Sequence, residues 1–398
     1  MQARVLGGGI AGLAASYQFL RAKTNVLGYE SSSRLGGRVY TRSFGGVQTD
    51  VGVQFITQLD QHALTLLRKL RLQKKLVPLF LNRFKWVSDG GLDESKEWRA
   101  AERLVKRIAG RSFNQFLERH LSTPFDEWLS RYGLDGNPKI RAACKGVCFA
   151  EPQELSTAYG IAVLFSFLAP VWRLEGGWNR LVDGLEKRSN VQSSFHLNTP
   201  VTHAVLNDNK VSALHISGKE TAVSSADPIV CAVPAPAAAR LLSDKKDLRK
   251  TLRAVPYMPG AAVVFHTSRK TFGSAPGALT DNLDFPFIFE YSLENGFLAV
   301  LFSPKQNPSA ASAGRFLSSL SSVSAEYPRF IGLQKWKEAM PLPSPALFAL
   351  QQQLNELRPS NLFLAGDYMS MPSLDGAVES GAVAARGALD YSKLRNSF

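Results

Sequence analysis

Three glycines near the start of the chain, Gly7, Gly9 and Gly12, stand in the spacing G-x-G-x-x-G. The first glycine of such a run permits a tight turn and the second lets the backbone approach a pyrophosphate. The third lets the following helix pack close to the preceding strand. Amides at the start of that helix, those of Ile10 and Ala11, would then face the anion with the positive end of the helix dipole behind them. Glu30 follows Gly12 by 18 positions, where an acid can accept hydrogen bonds from a ribose, and Ser31 is next to it. Glu30 disfavours a 2′-phosphate, so FAD or NAD fits better than NADP. A second glycine pair, Gly36-Gly37, ends in Arg38, whose guanidinium can neutralise pyrophosphate charge.

These residues need a strand–helix–strand frame, and the sequence supplies one. Residues 3–6 form a short apolar run that predicts a strand. Leu13, Ala14, Tyr17 and Leu20 share one face of a helix over 13–21, and 24–30 predicts a second strand ending in the acid. At the far end of the chain, residues 361–367 read as a buried strand that stops at Gly366-Asp367. Residues 373–381 then run into an alanine-rich helix through Leu389. In the middle, residues 173–178 contain Gly176-Gly177 and precede a helix over 179–187. Strands are predicted over 196–201 and 229–234.

Taken with Asp50-Val51-Gly52-Val53-Gln54, these motifs make the chain resemble the flavin-containing amine oxidoreductase superfamily. That group includes monoamine oxidases, protoporphyrinogen oxidases, phytoene-type desaturases and renalase-like proteins. The resemblance spans the start, middle and end of the chain. It implies FAD, held without a covalent bond because no cysteine lies near the C-terminal segment. It implies that Gly52, Val53 and Gln54 pass the flavin, with Val53 standing where the family has a second glycine. It implies that the Val201 backbone meets the adenine and that Asp367, after Gly366, binds a ribityl hydroxyl. The turn of Asp375, Gly376, Ala377 and Val378 would point amides at the pyrimidine edge of the flavin, where reduction places negative charge.

The fold expected is α/β with α+β. A discontinuous, Rossmann-like FAD-binding domain of the glutathione-reductase type would comprise residues 1–60, 171–243 and 344–398. A substrate domain with a mixed sheet and a basic helical part would comprise 61–170 and 244–343. Within it Leu64, Leu67 and Leu70 predict an amphipathic helix, and residues 84–91 a strand entering a turn. Residues 261–266, 287–291 and 297–302 predict further strands, and 309–324 a helix.

The resemblance implies an FAD-dependent oxidoreductase: hydride passes from a substrate C–N or C–C bond to flavin N5, and O2 or another acceptor reoxidises the cofactor. The catalytic side chains are not identified by pattern. None of the six histidines sits in a constellation, and Cys144-x3-Cys148 lacks a second ligand pair, so no metal site is expected. Many amine oxidases hold a lysine near flavin N5; the local match here places Ser268 in that slot, and Ser373 stands where such enzymes often have a tyrosine. Residues 146–156 resemble the protoporphyrinogen oxidase pattern. Residues 335–341 resemble a basic-aromatic-Ala-x-Pro segment of those enzymes and the desaturases, which makes Lys335 and Trp336 candidates to face the flavin. A core strand and loop explain that segment equally well. Two other readings remain at this level: a non-catalytic flavin-binding module acting through membrane or protein partners, and a nicotinamide dehydrogenase.

Composition sets outer limits. The chain has 398 residues, 45% of them apolar, which suits a globular protein of two or three domains. No apolar run is long enough to span a bilayer, and three cysteines do not make a disulfide scaffold. A cytoplasmic protein is expected, with peripheral membrane contact left open. The formal net charge is +14. Between Gln61 and Ser88 lie seven Lys or Arg and no acid, and a second basic cluster holds Arg99, Arg103, Lys106, Arg107 and Arg111. Such runs read first as solvated helix faces. A small-molecule substrate, acidic or apolar, is the expected partner, and no motif points to nucleic acid. The oligomeric state is not legible.

Overall fold

The protein is described from a computed structural model covering residues 2–44, 46–87, 103, 105–106, 113–320 and 327–396. A five-stranded parallel sheet lies at its centre. Its order is Leu362–Leu364, Ile229–Cys231, Gln2–Leu6, Asn25–Tyr29 and Phe195–His196. Strands remote in sequence are therefore hydrogen-bonded neighbours. Gln2–Leu6 takes its central place because Ala3, Val5 and Leu6 bury completely or nearly so. The helix Ile10–Arg21 returns the chain to Asn25–Tyr29, giving the predicted unit with bounds shifted by a few residues at most. A separate antiparallel meander, Val201–Asn207, Lys210–Ile216 and Lys219–Ala222, leads from this sheet back into it.

The C-terminal helix, Leu374–Asn396, lies across the helix Ile10–Arg21. The approach is close enough that a Cβ on Gly381 would stand 2.1 Å from the Ala11 carbonyl oxygen. This contact fixes the two ends of the chain against each other.

The second layer is a six-stranded sheet in the order Arg329–Pro341, Tyr257–Thr267, Gly296–Ser303, Phe287–Leu293, Gly277–Thr280 and Lys85–Val87. All its pairs are antiparallel except the last, which is parallel. Residues Gly260 to Phe265 are buried without interruption, so this strand is covered on both faces. Helices Pro138–Cys148 and Thr157–Ser166 pack near it. Asn137 caps the first, accepting from the amides of Lys139 and Ile140 at 3.0 and 3.1 Å. Ser156 caps the second, accepting from the Tyr159 amide at 3.2 Å.

The structure differs from the sequence reading at three predicted strands. Residues 196–201 are not one strand: Asn198 adopts a left-handed φ of 51°. The Asn198 and Thr199 amides donate to the Ser32 and Glu30 carbonyls at 2.9 and 2.8 Å, folding the chain over the acid. Residues 361–367 and 229–234 give strands of three residues, because Gly366 turns with φ 140° and Pro234 precedes the helix Ala235–Leu241. Within 61–170 the strand Leu76–Leu79 pairs antiparallel with Val171–Leu174. The helix predicted over 309–324 is described as Ala310–Leu320. Residues 88–91 and 321–324, and most of the second basic cluster, lie outside the described residues.

Candidate active site

One elongated cavity of about 1050 Å³ runs between the two sheets. That is at the upper end of the size usual for ligand pockets, roughly 300–1,000 Å³. Gly7, Gly9, Ile10 and Ala11 line it at one end, with Glu30 and Ser31 beside them. Gly37, Arg38, Gly52, Val53 and Gln54 continue the wall, and Val201, Gly366, Asp367, Asp375 and Ala377 complete it from the rest of the chain.

Gly9 and Gly12 show how the turn works. A Cβ on Gly9 would meet nothing within 4 Å, so the space beside this backbone is open to the cavity. A Cβ on Gly12 would lie 2.0 Å from the Gly7 carbonyl oxygen. The helix start at Gly9 has no side-chain cap and no acid in its first turn, which leaves its amides facing the cavity. Glu30 is held in place by the Gly8 and Ser32 amides, which donate to Oε2 and Oε1 at 2.7 and 2.8 Å. An open cradle with uncapped amides and an oriented acid fits a dinucleotide.

Arg38 and Asp367, 329 positions apart, form a bidentate pair at 2.7 and 2.8 Å. Arg38 also donates to the Ala339 carbonyl at 3.0 Å. Burial pushes the guanidinium toward losing its proton; Asp367, with smaller contributions from Tyr257 and Glu338, more than offsets this, so Arg38 stays charged. Asp50 does not line the cavity. It accepts from Thr41 Oγ1 at 2.6 Å and the Trp178 amide at 2.9 Å, clamping the loop that carries Gly52. Burial pushes its pKa up, and these bonds oppose that.

Four sequence-named residues lie behind the wall. Gly12 and Gly36 set the turns, the Gly36 amide donating to the Gly8 carbonyl at 2.8 Å. Val378 is buried in the core. The Gly376 amide is taken by Ser373 Oγ at 3.0 Å, and the Ala377 amide by the Ser373 carbonyl at 3.1 Å. These two amides are therefore engaged within the helix turn.

Lys335 and Trp336 both line the cavity, but strand alternation sends them opposite ways. Trp336 Nε1 donates to the Val51 carbonyl at 2.8 Å, while Lys335 Nζ reaches Asn307 at 2.7 Å on the exposed side. Ser268 is absent from this wall and lies in a small separate pocket with His266 and Arg329. On its strand, Gly260 and Ala261 are the residues that line the main cavity, and neither is a lysine. The strand is buried on both faces, so its sequence had no alternation from which to read the register.

Sequence reasoning missed Arg34, Asp60 and the helix face of Tyr159, Ala162, Val163 and Ser166, all on the wall. The spacing of that face was a usable signal; nothing local marked Asp60. The Asp60 carboxylate accepts from Thr57, and Asp375 Oδ1 accepts from the Ala63 amide at 2.6 Å. Burial raises the pKa of both, that of Asp375 to about 7, with Asp60 and Glu379 adding to the rise. Among the described residues no group of three or more His, Cys, Asp or Glu could hold a metal ion.

The model of flavin containing amine oxidoreductases matches residues 10–389. The chain belongs to that family. It is an FAD-dependent oxidoreductase of the amine oxidase superfamily, and its cofactor is FAD. Among solved structures it is similar to a candidate protoporphyrinogen oxidase from Exiguobacterium sp. 255-15, with TM-score 0.76 and 18% identity over 98% of this chain and 99% of that one. A CLA-producing fatty acid isomerase from P. acnes gives 0.74 and 16% over 96% and 98%, and a redesigned putrescine oxidase 0.70 and 14% over 98% and 99%. At such identities the likeness shows the fold alone. A curated relative, lysine-specific histone demethylase 1 homolog 2 of Oryza sativa subsp. japonica, is 43% identical over 67 residues, which is 16% of this chain and 9% of that protein.

Proposed function

We propose that the enzyme removes hydride from a substrate C–C or C–N bond, and that its branch is nearer the protoporphyrinogen oxidases and desaturases than the amine oxidases. The observation that carries this reading is the shared cavity. Gly7 and Gly9 from the start of the chain and Gly366 and Asp367 from its end line one elongated space. FAD supplies the hydride acceptor at N5 and passes its electrons on to O2 or another acceptor. The chain supplies position. Gly7, Gly9, Ile10 and Ala11 would hold the pyrophosphate, Glu30 and Ser31 the adenosine ribose, and the Val201 backbone the adenine. Arg38 and Asp367 would hold the ribityl side, with Gly52, Val53, Gln54, Asp375 and Ala377 around the ring system. Gly12, Gly36, Gly376 and Val378 support these from behind.

Residues 1–60, 171–243 and 344–398 are assigned to a Rossmann-like, glutathione-reductase-type FAD domain, and 61–170 and 244–343 to substrate binding. Cofactor attachment is non-covalent: no cysteine or histidine stands on the cavity wall, and burial raises the Cys231 thiol to about 12. The absence of a lysine at Gly260 and Ala261 favours the non-amine branch.

The test is flavin retention. Purified protein is expected to be yellow, with bands near about 375 and 450 nm that leave with a small molecule on denaturation. Asp367→Ala is expected to lose the colour, because it removes a proposed cofactor contact and leaves the half-buried Arg38 without its carboxylate partner. A yellow Asp367→Ala protein would remove Asp367 from the cofactor site.

A peripheral membrane role has one supporting observation. Arg68, Lys69, Arg71, Lys74, Lys75 and Arg83 are all exposed, beside the exposed Val77. Among the described residues no helix is long and apolar enough to cross a membrane. Co-sedimentation with phosphatidylserine vesicles that fades as salt is raised is expected; equal sedimentation with neutral vesicles would sink the electrostatic account.

A further inference from the structure

We propose that the part of the cavity enclosed by helix Thr157–Ser166 and the six-stranded sheet takes an uncharged, hydrocarbon-rich substrate, held by burial and shape with no ionic or hydrogen-bonded anchor. This rests on the oxidoreductase reading above and names the substrate class for it. Tyr159, Ala162, Val163 and Ser166 are spaced 0, +3, +4 and +7, so one face of a single helix forms the wall. Val147 and Phe149 extend it, and Phe287, Phe302, Met340 and Met371 contribute further apolar surface to the cavity. None of these residues is charged; the charged side chains that the sheet adds to the cavity, Lys335, Lys337 and Glu338, all lie on its edge strand Arg329–Pro341.

The protons of the polar groups on the wall are already used. Tyr159 Oη donates to the Pro372 carbonyl at 2.8 Å. Ser166 Oγ donates to the Val163 carbonyl at 2.6 Å. On the opposite side Trp336 Nε1 is engaged by Val51, and Gln54 Nε2 donates to the Asp50 carbonyl at 2.9 Å. An ammonium placed among these side chains would lose its water and find no carboxylate there, only neutral oxygen lone pairs to accept from it. A hydrocarbon would gain from the same desolvation. The acids on the cavity wall are Glu30, Asp60, Glu338, Asp367 and Asp375, and none stands on the helix face. Glu30 and Asp367 are bonded at the glycine-turn and Arg38 end, and Glu338 interacts with Arg38. A cation would turn first to Asp60 and Asp375. These two stand on the segment after Gln54 and on the C-terminal helix, and both are already accepting from the 57–63 backbone.

The experiment uses the flavin-loaded protein and a neutral apolar dye, Nile red. The dye is expected to bind and to be displaced by farnesol, an uncharged unsaturated chain. Putrescine and spermidine at millimolar concentration are expected to leave both the dye signal and the flavin spectrum unchanged. Ala162→Trp fills the wall and is expected to weaken the dye by about tenfold or more, a factor equal to about 1.4 kcal/mol, while the 450 nm band persists. If that variant loses its flavin, the wild-type competition decides alone. Displacement of the dye by either polyamine, a flavin shift with either, or a yellow wild type that ignores Nile red would overturn the proposal. A wild type that holds no flavin would instead fail the cofactor reading, which separates the two.

Discussion

Gly9 and Gly12 stand three positions apart in one turn, yet a methyl group added to each meets opposite surroundings. Gly9 has open space where its Cβ would go, and Gly12 has the Gly7 carbonyl oxygen at 2.0 Å. Gly9→Ala is therefore expected to fold with its stability changed by no more than about 0.5 kcal/mol and to lose FAD, because the methyl occupies the phosphate position. Gly12→Ala is expected to lose both, since the backbone itself must move. Thermal melts of the FAD-free proteins, read beside flavin content, distinguish the two outcomes. A Gly9→Ala protein that stays yellow would show that no phosphate sits there.

The C-terminal helix carries a second effect, set by where its first turn lies. A carboxylate at a helix N-terminus is ordinarily favoured, but Asp375 is half-buried near Asp60 and Glu379, and its pKa rises to about 7. An unfolded aspartate titrates near about 3.9. Between those values the native state keeps a proton that the unfolded state has lost. The Asp375 contribution to the stability of the FAD-free protein therefore falls as pH rises from about 4 to 7 and stays reduced above that range. Asp375→Asn keeps an oxygen for the Ala63 amide and removes the charge. It is expected to raise the melting temperature at pH 8.5 and to change it little at pH 4. An equal shift at both values would show that the effect is not electrostatic.

At the scale of the whole molecule, the proposed cofactor site is also the cavity to which residues from both ends of the chain contribute. A ligand that binds only the folded state adds stability by mass action, about 2.7 kcal/mol at one hundred times its Kd. FAD is expected to raise the melting temperature of the apoprotein by several degrees, and to raise that of Asp367→Ala little. Equal gains in both would place the binding energy elsewhere.

The sequence by itself determined the local devices: the glycine turn, the acid after the second strand and the Gly366-Asp367 stop. Each rests on backbone geometry within a few residues, which residue type controls directly. From these the superfamily and the cofactor could be read. Only the tertiary structure decided that Arg38 clasps Asp367, that Asp60 meets Asp375, and that Gly260 and Ala261, not Ser268, reach the cavity. A strand covered on both faces carries no polar alternation to mark its register. Partners separated by hundreds of residues are chosen by packing and pairing across the whole fold, and no local pattern encodes that choice.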